Sequence, residues 1–304
     1  MKKIILLILL LFFCDEISYC AEGGYAGSFL RMGVGARPKA LGGAFVAVAD
    51  DSYAAYYNPA GLPYIKDRYV NFSFMFLSLD RKLNYFNFSQ TIKPSGGISI
   101  GWINAGVGNL YERSSEGEKG SIIDYSENAF CFSFAQTINK YISFGITGKL
   151  LYHKLYQLTA KGFGFDFAIL AKPVKNLRLG FIIKDVNSGY SWNSNEIYER
   201  GTSTENNFIS VTKAGTSYYI EKHQLLFAFD IEKNQKSDSK FHLGLEKTFK
   251  DQFSLRSGIN DGNLCFGGGL KISLFGKMSF IDYSFENVEF DESPNQILTL
   301  TLSL

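Results

Sequence analysis

Three histidines are the natural first place to look for catalysis or metal binding in these 304 residues, and their spacing supports neither. His153, His223 and His242 form no pair at metal-ligand spacing, so solvated or lumen-lining imidazoles are the simpler expectation. No Gly-x-Ser-x-Gly elbow presents a nucleophilic serine. Gly267-Gly268-Gly269 sits inside a strand pattern rather than between a strand and a helix. It therefore predicts close backbone approach or a bend, not a phosphate loop. Cys131 and Cys265 are isolated, each next to a Phe in a strand pattern. Small buried residues are expected there, with a single bridge between them as the alternative. Nothing organises a catalytic centre or a cofactor site, so the chain reads as a non-enzyme without a cofactor. Its net charge of +2 gives no electrostatic case for nucleic acid.

What remains is a set of charges at strand-like positions: Lys149, Asp166, Arg178, Lys184, Asp230, Glu246, Arg256 and Lys271. They lie on the small, polar face of a period-two pattern whose other face is large and apolar. Charges of both signs on one face are expected to pair across a lumen, ahead of binding a ligand. Asp166 and Asp230 each follow a Phe-x-Phe-like run. They are candidates to bind Arg31 or Arg37 of the N-terminal segment.

The elements that position these charges are strands. From Tyr69 onward, period-two alternation dominates. Phe130, Phe132 and Phe134 alternate with Cys131, Ser133 and Ala135. Phe163, Phe165, Phe167 and Ile169 alternate with Gly164, Asp166 and Ala168. In a membrane barrel the apolar face meets lipid and the polar face lines the lumen. Alternation alone does not say which face is outside; the long Phe-rich strands and an N-terminal leader favour the membrane version. Strands are expected near 69–79, 82–92, 96–105, 127–138, 141–152, 161–171, 176–185, 208–219, 224–232, 240–249, 252–259, 264–272, 277–285 and 296–304. Fourteen is an even count, as bacterial barrels have. The long connections, 105–127, 186–207 and 286–295, all follow odd-numbered strands. That sorting places short turns and both chain ends on the periplasmic side and the long, mobile loops outside. The fold class expected over 69–304 is all-β, a transmembrane antiparallel up-and-down barrel.

Lys2 and Lys3 precede an apolar run, Ile4 to Phe13, too short for a spanning helix of roughly 20 residues. This predicts a signal peptide at 1–20, with Ser18 and Cys20 before a cut at Ala21. Acylation of Cys14 or Cys20 is less favoured, because bulky Phe13 or Tyr19 precedes each. The expected destination is the outer membrane of a Gram-negative-type cell, with its lipid as the surrounding partner.

Residues 21–68 do not alternate. Gly33, Gly35, Gly42 and Gly43, in a stretch that also holds Arg37, permit tight packing. Asp50 and Asp51 precede a short helix expected at Ser52–Tyr57, with Asp51 as its N-cap. Pro59 ends that helix at Asn58, and Ala60-Gly61 turns the chain toward the first strand. A compact hatch that fills or seals the barrel is expected. The run FLRMGVGARPKALGGAFVAVADDSYAAYYNPAGL resembles the N-terminal signature of the PorV/PorQ family of FadL-like outer-membrane barrels. GFGFDFAILAKPVKNLRLGFIIKDV, LLFAFDIE and the terminal NQILTLTLSL follow in that family's order. The resemblance implies a fourteen-stranded barrel whose hatch carries Asn58, Pro59 and Ala60. Pro38 departs from the pattern after Gly-Ala-Arg, and Leu304 stands where an aromatic often ends such chains.

Three functions are compatible with this reading. The first is passive transport of hydrophobic small molecules, with the hatch as a gate. The second is a type IX secretion-like component that binds exported protein cargo or partner proteins. The third is a structural barrel with no channel.

Overall fold

The computed structural model describes residues 25–304 except 196, 198, 199, 275 and 289–292. The expected signal peptide lies outside them. β1 (Tyr69–Phe76), β2 (Arg81–Ile92) and β3 (Gly96–Val107) form a meander. A detached hairpin follows, β4 (Tyr111–Arg113) and β5 (Lys119–Ile122). The wall resumes with β6 (Tyr125–Asn139), β7 (Ile142–Leu155), β8 (Leu158–Val174) and β9 (Leu177–Val186). A second hairpin, β10 (Gly189–Asn193) and β11 (Ser203–Asn207), interrupts it. β12 (Val211–Ile220), β13 (Leu225–Asn234), β14 (Lys240–Phe249), β15 (Phe253–Asn260), β16 (Asn263–Leu274), β17 (Lys277–Glu286) and β18 (Asn295–Ser303) complete it.

Fourteen of these strands close an antiparallel barrel. β1 pairs with β18 from Tyr69↔Ser303 to Phe76↔Gln296, and the Leu304 amide donates to the Arg68 carbonyl at 2.9 Å. Closure removes sheet edges. The side-chain period of two then divides each strand between an inner and an outer face. Phe130, Phe132, Phe134, Phe163, Leu243 and Phe266 are exposed outside, while Ser133, Thr147, Asp166, Asp230 and Thr299 are buried inside. The end that carries residue 68 and the C-terminus is called here the terminal end; the opposite end is the far end.

Two features depart from the expected pattern. Residues 186–207 do not form a structureless loop. β10 turns back on the wall, pairing Ser191↔Lys161 and Trp192↔Ala160. Apolar rings explain this: Tyr190 and Trp192 pack on His153 at 5.3 and 5.0 Å between ring centroids, and Phe208 packs on Tyr190 at 4.9 Å. Phe208 is thereby held out of the strand expected at 208–219, which starts at Val211. The connection 105–127 likewise holds the β4–β5 hairpin.

Candidate functional site: a hatch between two cavities

The residues before β1 fill the barrel. They comprise a 3₁₀ turn at Ser28–Leu30, helix α1 (Ala36–Ala40), helix α2 (Ala54–Tyr57) and a 3₁₀ helix at Pro59–Tyr64. Gly33, Gly35, Gly42 and Gly43 all have positive φ, which side chains disfavour, so the glycines let this segment fold back on itself. Pro38 lies in the first turn of α1, where its missing N–H breaks no helical bond. The expected helix at Ser52–Tyr57 is shorter, and its N-cap is Tyr53 rather than Asp51. Asp51 Oδ1 instead accepts from the Tyr53 amide at 2.8 Å and fixes the preceding turn. The helix does end at Tyr57, with Asn58 extended. Ala60-Gly61 does not simply turn; it continues the 3₁₀ helix begun at Pro59.

Asn58 is fully buried and satisfies three groups at once. Its Nδ2 donates to the Val46 carbonyl at 2.8 Å and the Ile169 carbonyl of β8 at 3.2 Å. Its Oδ1 accepts from the Ala60 amide at 3.1 Å. A carboxylate could not replace this amide, because two carbonyls need its donors.

Four of the eight charges anticipated inside the lumen touch the hatch: Arg178, Lys184, Asp230 and Glu246. Asp230 Oδ2 accepts from the Phe45 and Val46 amides at 2.8 Å each. Arg178 donates to the Val48 carbonyl at 2.5 Å. Glu246 binds Arg37 at 2.8 Å and Arg256 at 2.5 Å, and Arg256 continues to Asp282 at 2.6 Å. Arg37 also reaches Asp50 and Asp51, both at 2.7 Å. The expected partnership of Asp166 and Asp230 with Arg31 or Arg37 is therefore wrong. Asp230 takes hatch backbone amides, and Asp166 takes Lys149 of the wall at 2.7 Å. Arg31 donates to the Ala26 carbonyl at 3.4 Å. Lys149 also holds Asp185 at 2.6 Å. Lys184 stands 3.5 Å over the Tyr56 ring, and half-buried Lys271 lines the terminal-side cavity.

Asp50 and Asp51 share one guanidinium from positions on the hatch. Burial pushes the Asp51 carboxyl up to about 6 against the pull of Arg37, and Asp50 adds to the rise. Burial acts on Asp50 too, but Arg37 and Arg178 together hold it below the ordinary carboxylate range.

Several site residues escaped the sequence reading. Asp282 and Glu286 alternate with Ile281, Tyr283 and Phe285, so the period-two rule could have found them. Lys39 of the hatch pairs with Glu286 at 2.8 Å. Asp185 has φ of 59° and leaves the strand phase, so alternation carries no signal for it. His242 lines the lumen beside Glu232 at 3.4 Å, His153 lies in the aromatic cluster, and His223 is exposed. Cys131 and Cys265 are free. The bend or close approach expected at the three glycines is present, since a Cβ on Gly267 would lie 2.6 Å from the Ala40 Cβ. Among the described residues no group of three or more His, Cys, Asp or Glu is placed to hold a metal ion.

The hatch divides the lumen into two cavities. The far-side cavity, about 310 Å³, is lined by Met32, Tyr56, Met75, Lys184, Glu232 and His242 among others. The terminal-side cavity, about 800 Å³, is lined by Arg37, Asp51, Tyr64, Arg178, Glu246 and Lys271 among others. Buried Phe29, Leu30, Val34, Leu41, Phe45 and Val48 belong to the hatch core. A third space of about 10 Å³, the size of one water, lies between α2 and the wall beside Ser99, Ser133 and Thr147.

The closed fourteen-stranded barrel with its N-terminal segment superimposes on solved channels and transporters. The toluene transporter TbuX of Ralstonia pickettii superimposes with a TM-score of 0.61 at 12% identity, covering 90% of this chain and 98% of its own. The CymD monoaromatic hydrocarbon channel gives 0.58 at 11% identity, covering 89% and 96%. A Pseudomonas aeruginosa FadL homologue gives 0.55 at 11% identity, covering 86% and 95%. The fold is thus FadL-like. No family model matches the chain, and a sequence search of curated proteins finds no match.

Proposed function

We propose that the chain is a passive outer-membrane channel for small hydrophobic molecules and that its hatch is the gate. The observation that carries this reading is the pair of cavities on either side of the hatch, in a fold shared with channels for toluene and monoaromatic hydrocarbons. The far-side cavity, at about 310 Å³, lies at the small end of ligand pockets. Its lining joins paired charges to Met32, Met75 and Tyr57, which suits a compact aromatic compound. Placement in the membrane is supported by the outward face, where large apolar residues replace the polar cover that water requires. The narrower PorV/PorQ assignment, and with it exported protein cargo, rests on sequence resemblance alone and forms no part of this reading. The test is uptake of labelled toluene by cells that lack their own hydrocarbon channels. Expression of the chain raises the rate; a rate equal to that of empty-vector cells overturns the reading. A deletion strain with unchanged uptake but fewer exported proteins would assign the barrel to secretion instead.

A further inference from the structure

Six turns join barrel strands at the terminal end, linking β2–β3, β6–β7, β8–β9, β12–β13, β14–β15 and β16–β17. A lysine lies in or directly beside every one: Lys93, Lys140, Lys175, Lys222, Lys250 and Lys277. All six are exposed. The same turns carry two acids, and both have partners. Glu221 pairs with Lys175 at 2.8 Å, and Asp251 accepts from Gln224 at 2.7 Å. The far-end connections mix signs instead, with Asp80, Glu116, Lys236, Asp238 and Asp261 among their residues.

The lysines stand at the edge of the outward apolar face. Exposed Tyr141 follows Lys140, whose ammonium lies 4.8 Å over that ring. Exposed Phe249 and Phe253 flank Lys250, and Lys247 lies 5.5 Å over Phe249. Exposed Ile92 and Met278 adjoin Lys93 and Lys277. Aromatic rings at a membrane boundary bury their bodies toward the acyl chains, and lysine stems lie along apolar surface while the ammonium stays at headgroup level.

We propose that this collar binds the anionic phosphate headgroups of the leaflet surrounding the terminal end. The inference rests on the reading of the barrel as membrane-spanning. The distribution of charge decides the partner. A lysine occurs at every turn around the circumference, and a bilayer touches a barrel on all sides. A docked acidic protein would select one sector. The collar fixes the depth of the barrel and enriches anionic lipid around it, through attraction that fades within a Debye length.

The test uses the full chain in vesicles of equal parts phosphatidylglycerol and phosphatidylcholine, with spin-labelled lipids reporting which species contact the protein. The wild type selects phosphatidylglycerol several-fold, and high salt abolishes the selection. A variant combining K93Q, K140Q, K175Q, K222Q, K250Q and K277Q loses it while keeping the heat-modifiable mobility of a folded barrel. If that variant does not fold, K222Q with K250Q shows a partial loss. The proposal is overturned if the wild type shows no selection, or if selection survives in the folded variants. Lysine-dependent copurification of an acidic protein without lipid selection also overturns it. A chain that does not insert into these vesicles sinks the membrane reading itself, which is a separate result.

Discussion

The hatch meets its barrel in two different ways. Along Ala40–Ala47, backbone lies against backbone. A Cβ on Gly258 would collide with the Gly42 amide, and one on Gly180 with the Val46 carbonyl. Asp230 and Arg178 then tie down the Phe45, Val46 and Val48 peptides. Along Ser52–Tyr57 the contact is a polar seam. Asn71 donates to Ser52 Oγ and Asn87 to the Ser52 carbonyl at 3.4 Å; behind them, within the wall, Asn87 donates to Ser99 at 2.7 Å and Ser133 meets Thr147 at 2.8 Å. Backbone atoms in contact have no rotamers with which to adjust. Hydroxyls and amides exchange partners at about 1 kcal/mol each. Backbone contact resumes at Pro59–Leu62, where a Cβ on Gly145 would lie 2.4 Å from the Ala60 nitrogen and one on Gly97 2.6 Å from the Leu62 carbonyl carbon. The Ser52–Tyr57 stretch, held between two clamps, should therefore loosen first.

The clamp breaks most severely at Arg37. Arg37→Gln leaves Asp50, Asp51 and Glu246 short of a cation inside the barrel, and should cost about 3–5 kcal/mol. Urea unfolding in detergent measures this. A loss below about 1 kcal/mol would show that hatch and wall unfold separately. Next comes Gly258→Ala, which overpacks the clamp and should cost about 1–3 kcal/mol. Gly148→Ala is the control. Apart from its chain neighbours, the nearest atom to its added Cβ would be Phe165 Cε1 at 3.9 Å, so it should be neutral or slightly stabilising. Equal costs for the two would remove the distinction between clamp and free wall.

A third prediction uses the shared guanidinium. The Asp51 carboxyl titrates near 6 when folded, above its unfolded value of about 3.9. Its neutral form favours the fold, so wild-type stability from this group falls as pH rises from about 4 to about 6. Asp51→Asn removes that fall, and the variant should gain on the wild type across this window. Asp50→Asn behaves oppositely, since Arg37 and Arg178 favour the charged carboxylate. Identical pH profiles for the wild type and Asp51→Asn would sink the assignment.

The barrel was legible because its rule is local. Period two, strand parity and loop sorting each follow from the chain alone, as the runs Phe130–Ala135 and Phe163–Ile169 illustrate. The end of α2 at Asn58 was legible too, since the steric effect of Pro59 acts on its neighbour. The partners of Asp230 and Arg37 were not, because Phe45 and Glu246 lie 185 and 209 residues from them in the chain. Nor was that of Asp166, whose meeting with Lys149 is set by the register between adjacent strands. The β10–β11 hairpin was missed for a related reason. A polar loop hid Tyr190 and Trp192, whose docking on His153 is a tertiary contact.

The smallest effect tests the polar wall that backs the seam. Thr147→Val leaves Ser133 without its partner and should cost about 1 kcal/mol. Ser133→Ala added to it removes both partners, so the double variant should be no less stable than Thr147→Val alone. Clamp substitutions behave otherwise, because a collision at Gly258 is not relieved by any second change at the seam. Hydrogen exchange gives the matching dynamic contrast: the Tyr56 and Tyr57 amides of α2 should exchange before the Phe45 and Val46 amides held by Asp230. If all four exchange together, the hatch moves as one block, and the seam is merely polar packing.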